Sequence, residues 1–223
     1  MPLNIAIDGP AGAGKSSLAK AAAAELGCIY VDTGALYRAV GLFALRAGAV
    51  PDDAAAVVPL LPKIDLQLRF AQGTQRVFLN GEDVSEAIRT PAASTASSQV
   101  SSLPAVRTFL LDLQRSLAAK NAVVMDGRDI GTVILPQAQV KIFLTASPEE
   151  RARRRWLQLI EKDPNTRLED VLAEQIERDA RDSARAVAPL KPAADSVTLD
   201  TSALDFSASL AALLAIVREK QGD

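Results

Sequence analysis

The chain has 223 residues, of which 48% are hydrophobic and 23% are charged, and its formal net charge is −2. This length and composition predict one globular unit with a sizeable core, and the charge balance gives no electrostatic case for a nucleic-acid partner. The sequence has no histidine and one cysteine, which excludes Ser-His-Asp and Cys-His catalysis, an internal disulfide and nearly all zinc sites. No apolar run approaches the length that spans a bilayer, and no signal peptide precedes the first predicted strand. We therefore expect a cytoplasmic protein without a membrane partner.

Apolar runs alternate with helical patterns along most of the chain, which is typical of an α/β fold with a parallel sheet. We predict strands at residues 3–8, 28–32, 122–126, 140–145 and 196–200. We predict helices at residues 15–26, 34–48, 104–120, 148–161, 167–185 and 206–220. Cys28 is interpreted as a small apolar residue of the second strand. In such sheets phosphate-binding residues lie at the carboxyl ends of the strands, so the site is expected there.

The first strand end carries a glycine-rich stretch that fits the pattern G-x-x-x-x-G-K-[ST]. It reads Gly9-Pro10-Ala11-Gly12-Ala13-Gly14-Lys15-Ser16-Ser17. Glycines let the backbone wrap around phosphates, and the N–H groups of the following helix start form an anion site. Lys15 would reach the outer phosphates, and the Ser16 hydroxyl would hold Mg²⁺. A chain without histidine must rely on carboxylates, Lys, Arg, a metal and backbone dipoles, an inventory that suits phosphoryl transfer.

Two further strand ends carry polar residues. After the second strand, Thr33 and Gly34 open a helix with Arg38 one turn inside, which suits a second anion site. The alternative is an ordinary helix with Thr33 as its N-cap and a solvated Arg38.

After the third strand comes Asp126-Gly127-Arg128-Asp129-Ile130-Gly131-Thr132. Here Arg128 can bind a phosphate through two N–H groups, Asp129 can accept hydrogen bonds from a substrate, and Asp126 can support Mg²⁺ or its waters. A structural Asp–Arg pair is the alternative.

Residues 49–100 break the alternation of strands and helices. Two alternating segments, 66–70 and 76–80, flank Gln72-Gly73-Thr74 and predict a β-hairpin, and Asn80-Gly81 adds a turn signal. The stretch from Pro91 to Ser102 is rich in Ser and Thr, and its composition fits a flexible linker.

Two arginine clusters flank the turn at Asp163-Pro164. The first contains Arg151, Arg153, Arg154 and Arg155, and the second contains Arg178, Arg181 and Arg185. On a helix the second trio would share one face, where like charges repel unless an anion joins them. Interleaved acids offer the alternative of a solvated ion-pair lattice, because the spacing pairs Glu177 with Arg181 and Arg178 with Asp182. A helical hairpin carrying arginines is also what a lid over phosphates requires.

Taken together, these motifs resemble those of bacterial cytidylate kinases, in order and over essentially the whole chain. The matching segments are IDGPAGAGKSS, VDTGALYR, LNGEDVSEAIRT, SSQVSSLPAVR, MDGRDIGTVILPQAQVKIFLTAS, EERARRR and ERDARDSARAVAPLKPAADSVTLDT. The resemblance implies a P-loop nucleoside-monophosphate kinase fold. That fold has a five-stranded parallel sheet with helices on both faces, a CMP-binding insertion at residues 60–100 and a helical lid at 150–188. It also implies a monomeric enzyme that transfers the γ-phosphoryl group of ATP to CMP or dCMP with Mg²⁺, and it argues against the linker interpretation of the Ser/Thr stretch.

The resemblance also implies the roles of individual residues. Gly9 to Ser17 would hold the ATP phosphates and, through Ser16, the metal, and Arg154 would join the ATP site. The CMP phosphate would be held by Thr33, Arg38 and Arg128, and the cytosine by Ser98, Arg107 and Asp129. Arg178 and Arg185, with Arg181 as a further candidate, would close on the transferring phosphates. The expected catalytic set is thus Lys15, Arg128, Arg178 and Arg185. Ala11 and Thr33 stand where relatives often carry Ser.

Other classes of P-loop protein fit less well. A regulatory GTPase would need the guanine-reading N-K-x-D, which the sequence lacks. A nucleic-acid-dependent ATPase would need a basic groove with aromatic residues, and the net charge of −2 argues against one. The remaining alternative is a P-loop kinase that acts on another nucleoside monophosphate or a small metabolite.

Overall fold

The computed structural model describes residues 1–71, 74–161 and 163–222, which divide into two compact units. Unit one contains Met1–Pro2 and Ile29–Val123, and unit two contains Leu3–Cys28 and Val124–Asp223. None of the described helices is both long and apolar enough to cross a membrane.

Strands and helices follow one another along most of the chain. In chain order they are β1 (Asn4–Asp8), α1 (Lys15–Glu25), β2 (Ile29–Asp32), α2 (Thr33–Arg46), α3 (Ala54–Val57), β3 (Leu66–Ala71), β4 (Thr74–Leu79), β5 (Glu82–Asp83), α4 (Pro91–Val100), α5 (Pro104–Lys120), β6 (Val123–Gly127), β7 (Val140–Thr145), α6 (Pro148–Ile160), α7 (Leu168–Ser183), β8 (Val197–Asp200) and α8 (Phe206–Gln221). Short 3₁₀ turns lie at Val58–Lys63 and Ala87–Arg89, and a π-helical turn lies at Ile130–Ile134.

Five strands form a parallel sheet in the order β2-β6-β1-β7-β8. In its centre β1 pairs with β7, Ile5 opposite Val140 and Ile7 opposite Ile142, and β7 pairs in turn with β8. Both central strands are apolar and almost fully buried, as expected for strands covered on both faces. The sheet therefore brings the ends of β1 and β6, with the polar residues that follow them, to the same edge.

Unit one contains a second sheet in which β3, β4 and β5 run antiparallel. The predicted hairpin is confirmed, with Leu66 opposite Leu79. Gln72 and Gly73 of its predicted turn lie outside the described residues. Asn80 and Gly81, both with positive φ, make the next turn, as predicted. Helix α4 packs closely on α2: a Cβ placed on Gly41 of α2 would lie only 2.9 Å from the Cβ of Ala96 on α4.

Each predicted strand and helix of the α/β pattern is present, with ends that differ by at most two residues. Cys28 lies just before β2 rather than in it. The linker interpretation of the Ser/Thr stretch is wrong. Residues 91–100 form helix α4, which begins with Pro91 and is capped by the Thr90 side chain accepting from the Ala93 N–H.

Candidate active site

The glycine-rich stretch forms a loop between β1 and α1. Gly9 has φ 151°, and a Cβ there would lie 1.9 Å from the Leu144 carbonyl oxygen, so only glycine fits. Gly14 has φ 87° and stands at the N-cap of α1 without a side-chain cap. The first N–H groups of α1 thus receive no side-chain cap, and an anion bound at this helix start would be stabilised.

The Lys15 side chain is buried and lies within this loop. Its Nζ donates to the Pro10 carbonyl oxygen at 2.7 Å. Burial, together with the charge of Arg128, lowers the pKa of Lys15 to about 7, although Asp126 and Asp8 act in the opposite direction. A phosphate beside the ammonium group would favour its charged form, because an opposite charge raises a lysine pKa.

Oxygen atoms suited to a magnesium ion lie next to the loop. The Ser16 hydroxyl donates to Asp126 Oδ2 at 2.8 Å, which brings together a hydroxyl from the start of α1 and a carboxylate from β6. Magnesium prefers such oxygen ligands and usually takes the rest of its shell from substrate phosphates and water. Among the described residues no cluster of three or more His, Cys, Asp or Glu could hold a metal alone. These residues fit a magnesium ion that arrives with a nucleotide.

Asp8, the last residue of β1, holds the turn that follows β6. Its two carboxylate oxygens accept the N–H groups of Ile130 at 2.7 Å and Gly131 at 2.8 Å. Burial raises the pKa of Asp8 to about 6, while these two hydrogen bonds act against the shift. The bonds fix the backbone immediately after Asp129, itself a buried residue. No sequence motif assigned Asp8 a role. Its position at the end of an apolar strand, directly before the glycine-rich loop, was the available signal that it belongs to the site.

Three arginines surround the carboxylate of Asp182 on α7. Arg128 Nε lies 3.0 Å from one carboxylate oxygen, and Arg185 lies 2.5 Å from the other. Arg178 is the third, and its pKa is lowered by burial first and by the charge of Arg128 second. The Nε of Arg178 is buried without a hydrogen-bond partner in the described part of the chain.

Positive charge is in excess in this cluster, even when Glu174 is counted with Asp182. Burial acts to raise the pKa of Asp182, but Arg128 and Arg185 outweigh it and hold that pKa below its usual range. The arrangement fits an anion with several negative oxygens.

The prediction that Arg178, Arg181 and Arg185 share one helix face is wrong, because α7 ends at Ser183, before Arg185. Arg181 is exposed and pairs with Glu177 at 2.6 Å, as the ion-pair alternative expected. Asp182, the expected partner of Arg178, is instead shared between Arg128 and Arg185. Arg128 therefore does have a structural acid partner, but this partner lies on α7 and not within its own motif.

The arginines of the first cluster also differ in their surroundings: two contact the glycine-rich loop or lie beside it, and two are exposed. Arg151 is buried, donates to the Ala11 carbonyl oxygen at 3.0 Å, and pairs with Asp179 at 2.7 Å, so it supports the glycine-rich loop. Arg154 donates to the backbone and hydroxyl oxygens of Thr201. Its guanidinium lies 4.0 Å from the Cβ position of Gly14, beside the loop. The other two members of the cluster, Arg153 and Arg155, are exposed and bond to side chains three residues away.

Unit one carries the other predicted polar turn, at the start of α2. Asp32, not Thr33, is the N-cap: its carboxylate accepts the Ala35 N–H at 3.1 Å and binds Arg38 at 2.6 Å. The Thr33 cap of the alternative interpretation is therefore wrong, and Arg38 is partly exposed but paired with Asp32. Thr33 itself is only 3% exposed.

Ser98 on α4 and Arg107 on α5 are buried polar residues of the same unit. The Ser98 hydroxyl has no hydrogen-bond partner among the described residues, which is costly unless a ligand supplies one. Arg107 donates to the Ser101 carbonyl oxygen, and its Cζ lies 5.6 Å from the centre of the Tyr37 ring. Both side chains can offer hydrogen-bond donors to a planar polar ligand.

Comparisons with known proteins agree with these features. The cytidylate kinase family profile matches residues 5–219. A cytidylate kinase from Pelotomaculum thermopropionicum is 52% identical over 202 residues, which cover 90% of this chain and 89% of that one. Another, from Syntrophotalea carbinolica, is 48% identical over 221 residues, covering 98% and 93%.

Among solved structures, an uncharacterized protein from Eubacterium ventriosum matches the whole of both chains with a TM-score of 0.53. At 13% identity this likeness concerns the fold alone. The family match spans nearly the whole chain, and the identity to its members is near one half. The chain belongs to the cytidylate kinase family.

Proposed function

We propose that this chain transfers the γ-phosphoryl group of ATP to CMP or dCMP, giving ADP and CDP or dCDP. The observation that carries the proposal is the family match over residues 5–219. The formed glycine-rich loop, the buried Lys15 and the arginine cluster around Asp182 support it, because they supply the positive groups that phosphoryl transfer needs.

ATP would bind through the residues from Gly9 to Ser17. The loop N–H groups would surround its phosphates, and Lys15 would exchange its bond to Pro10 for a phosphate oxygen. Arg154, held by Thr201 beside Gly14, would join this site from α6. Ser16 would hold Mg²⁺, with Asp126 orienting the Ser16 hydroxyl. When bound, the ion would neutralise charge on the phosphate oxygens.

CMP would bind through two groups of residues. Thr33, Arg38 and Arg128 would hold its phosphate. Ser98, Arg107 and Asp129 would hold the cytosine, whose exocyclic amino group donates and whose N3 and O2 accept hydrogen bonds. The Asp129 carboxylate accepts, while the Ser98 hydroxyl and the Arg107 guanidinium donate, so these residue types match the base.

The chemical step needs no protein base. The CMP phosphate has a second pKa near 6, as other phosphate monoesters do, and carries an ionised oxygen at neutral pH. This oxygen forms a bond to the γ-phosphorus of ATP while the bond between that phosphorus and the bridging oxygen breaks, and ADP leaves. Lys15, Arg128, Arg178 and Arg185 would stabilise the charge that spreads over the transferring group.

We also propose the internal organisation that the family resemblance implies. Residues 60–100 would be the CMP-binding insertion; this range holds the antiparallel sheet and α4. Residues 150–188 would be the lid; most of α6 and all of α7 fall within it. The protein would act as a cytoplasmic monomer.

Coupled measurement of ADP release tests the function. The protein with ATP and Mg²⁺ is offered CMP, dCMP, UMP, AMP, GMP and a set of polyols at matched concentrations. We expect kcat/KM for CMP to exceed that for UMP by at least about 10²-fold, because UMP would set an oxygen against Asp129 and leave buried polar groups unpaired. Turnover of UMP equal to that of CMP would contradict the assignment of Ser98, Arg107 and Asp129 to cytosine binding. Turnover confined to another acceptor would contradict the proposed function itself.

A further inference from the structure

The side chain of Gln75 on β4 makes a paired hydrogen bond with the backbone of Asp32, 43 residues earlier in the chain. The Asp32 N–H donates to Gln75 Oε1 at 3.0 Å, and Gln75 Nε2 donates to the Asp32 carbonyl oxygen at 3.2 Å. One amide side chain thus satisfies both backbone groups of a single residue, as a neighbouring strand would.

Gln75 occupies a position whose neighbours on the same face are apolar. Side chains two residues apart share a face of a strand, so Gln75 lies in a row with Val77 and Leu79, both of which are buried. A polar residue continuing an inward-facing apolar row is unusual, and both its amide oxygen and its amide nitrogen bond the Asp32 backbone. The strand that carries it is held on both sides: β3 pairs with it through Phe70, and Ser85 accepts the Val77 N–H.

Asp32 is the residue from which the turn at the start of α2 is built. Its carboxylate caps α2 at the Ala35 N–H and holds the Arg38 guanidinium. Thr33 follows it directly. A change in the orientation of the Asp32 backbone would therefore move the hydroxyl and the guanidinium together.

We propose that Gln75 is a positioning residue for the acceptor-phosphate site. It fixes the backbone of Asp32, and through it the placement of Thr33 and Arg38. The inference rests on the proposed function, since it takes those two residues to hold the phosphate of CMP. It assigns a role in acceptor binding to the hairpin of β3 and β4, through a residue that does not itself touch the substrate.

The test uses Gln75→Met, which keeps the length and apolar stem of the side chain and removes both hydrogen bonds. Gln221→Met is the control with the same substitution, because Gln221 is exposed at the end of α8, outside residues 60–100 and 150–188. We expect Gln75→Met to raise KM for CMP by roughly ten-fold, the scale of two lost neutral hydrogen bonds. KM for ATP and kcat should stay within about two-fold, and Gln221→Met should match the parent protein.

A double-mutant cycle separates positioning from general destabilisation. If Gln75 acts through the turn, Gln75→Met should raise KM for CMP less in a Thr33→Ala background than in the parent chain, because the two residues act in one unit. Additive effects, an unchanged KM for CMP, or an equal rise in both KM values would overturn the proposal.

A measurement without catalysis keeps this inference distinct from the proposed function. Amide hydrogen exchange of the free protein should be faster at Ala35 in Gln75→Met than in Gln221→Met, since the Asp32 cap loses its backbone anchor. If the protein does not phosphorylate CMP but exchange at Ala35 rises, the proposed function fails and the positioning of the turn stands. Unchanged exchange at Ala35 would overturn the role of Gln75 whatever the substrate.

Discussion

At the scale of single residues, burial displaces the pKa values of Asp8 and Lys15 in opposite directions. Burial raises the Asp8 pKa to about 6, and burial with the charge of Arg128 lowers the Lys15 pKa to about 7. Keeping these groups charged in the interior lowers the free energy of unfolding, and their hydrogen bonds offset only part of that loss. A protein retains such groups where the charge serves a ligand, and a bound phosphate would compensate Lys15 directly.

The raised pKa of Asp8 predicts the direction in which the free energy of unfolding changes with pH. Its folded pKa of about 6 exceeds the ordinary aspartate value of 3.8, so between these values the folded protein retains a proton that the unfolded chain has lost. The free energy of unfolding therefore falls as pH rises from about 4 to 6, by at most about 3 kcal/mol from this group. Asp8→Asn cannot titrate, so the stability of this variant relative to the parent protein should increase over the same interval.

Urea unfolding at several pH values between about 4.5 and 7.5 measures this difference. Curves of unfolding free energy against pH that run parallel for the two proteins would show that Asp8 does not titrate in this range. The same variant reports on the turn after β6, because an amide has one oxygen to accept the Ile130 and Gly131 N–H groups where the carboxylate has two.

At the scale of elements, α7 presents two kinds of arginine. Arg178 has a buried Nε without a partner in the described residues and lies in the cluster around Asp182. Arg181, three residues later, is 47% exposed and bonded to Glu177. Burying the Arg178 Nε without a partner is unfavourable unless an anion binds. The pair of Arg181 and Glu177 is an ordinary surface ion pair, which stabilises the fold by less than about 1 kcal/mol.

This contrast supplies a matched pair of variants on one helix. Arg178→Ala should lower kcat by at least about 10²-fold, the scale of losing one preorganised group that stabilises transition-state charge. Arg181→Ala should keep kcat within about two-fold and leave both KM values unchanged. Steady-state kinetics with CMP and ATP distinguish the two, and equal losses in both variants would assign the arginines of α7 to structure rather than to catalysis.

The elements that the sequence predicted are those with strong local signals. Strands β1 and β7 are mostly apolar and buried, which favours central strands of a parallel sheet. Helix α4 was missed as an element because its residues are small and polar. Its stability comes from the Thr90 cap, Pro91 and the close packing of Ala96 on Gly41, and this tertiary contact has no local signal.

Motifs predicted the polar residues of the candidate site, and spacing predicted the pair of Glu177 and Arg181. The partner of Arg128 and Arg185, which is Asp182, was not predicted. The spacing of Arg178, Arg181 and Arg185 implied one helix face only if the helix continued through all three. Helix α7 ends at Ser183, so Arg185 reaches Asp182 from beyond the helix. In the same way, the sequence analysis named Thr33 as the alternative cap for α2, and the structure shows Asp32 in that position.

At the scale of the whole molecule, stability is unevenly distributed. The central strands are buried along most of their length, but the pair α6 and α7 buries little apolar surface. The buried residues of α7 are Val171, Gln175 and Asp182, and those of α6 are Arg151 and Ala152. Segments with few buried apolar side chains open at low free-energy cost. The proposed lid should therefore open more readily than the central strands, and a ligand could order it.

Amide hydrogen exchange should detect that ordering. Binding CMP together with an ATP analogue that cannot be cleaved should slow exchange across residues 150–188, because Arg178 and Arg185 gain phosphate oxygens as partners. Peptides from α8 serve as an internal control and should not change. Either nucleotide alone should give weaker protection, since only the ternary complex presents the full charge of the transferring group.

The single tryptophan offers a second measure of the same event. Trp156 lies on α6 and donates its indole N–H to the Thr166 carbonyl oxygen at 2.9 Å, just before α7 begins. Its fluorescence should change when both nucleotides bind to the parent protein and to Arg181→Ala, and change less in Arg178→Ala. If residues 150–188 exchange at the same rate with and without both nucleotides while the start of α1 becomes protected, ATP binds without ordering α6 and α7. Those helices would then be a solvated ion-pair lattice, and the lid assignment would be wrong.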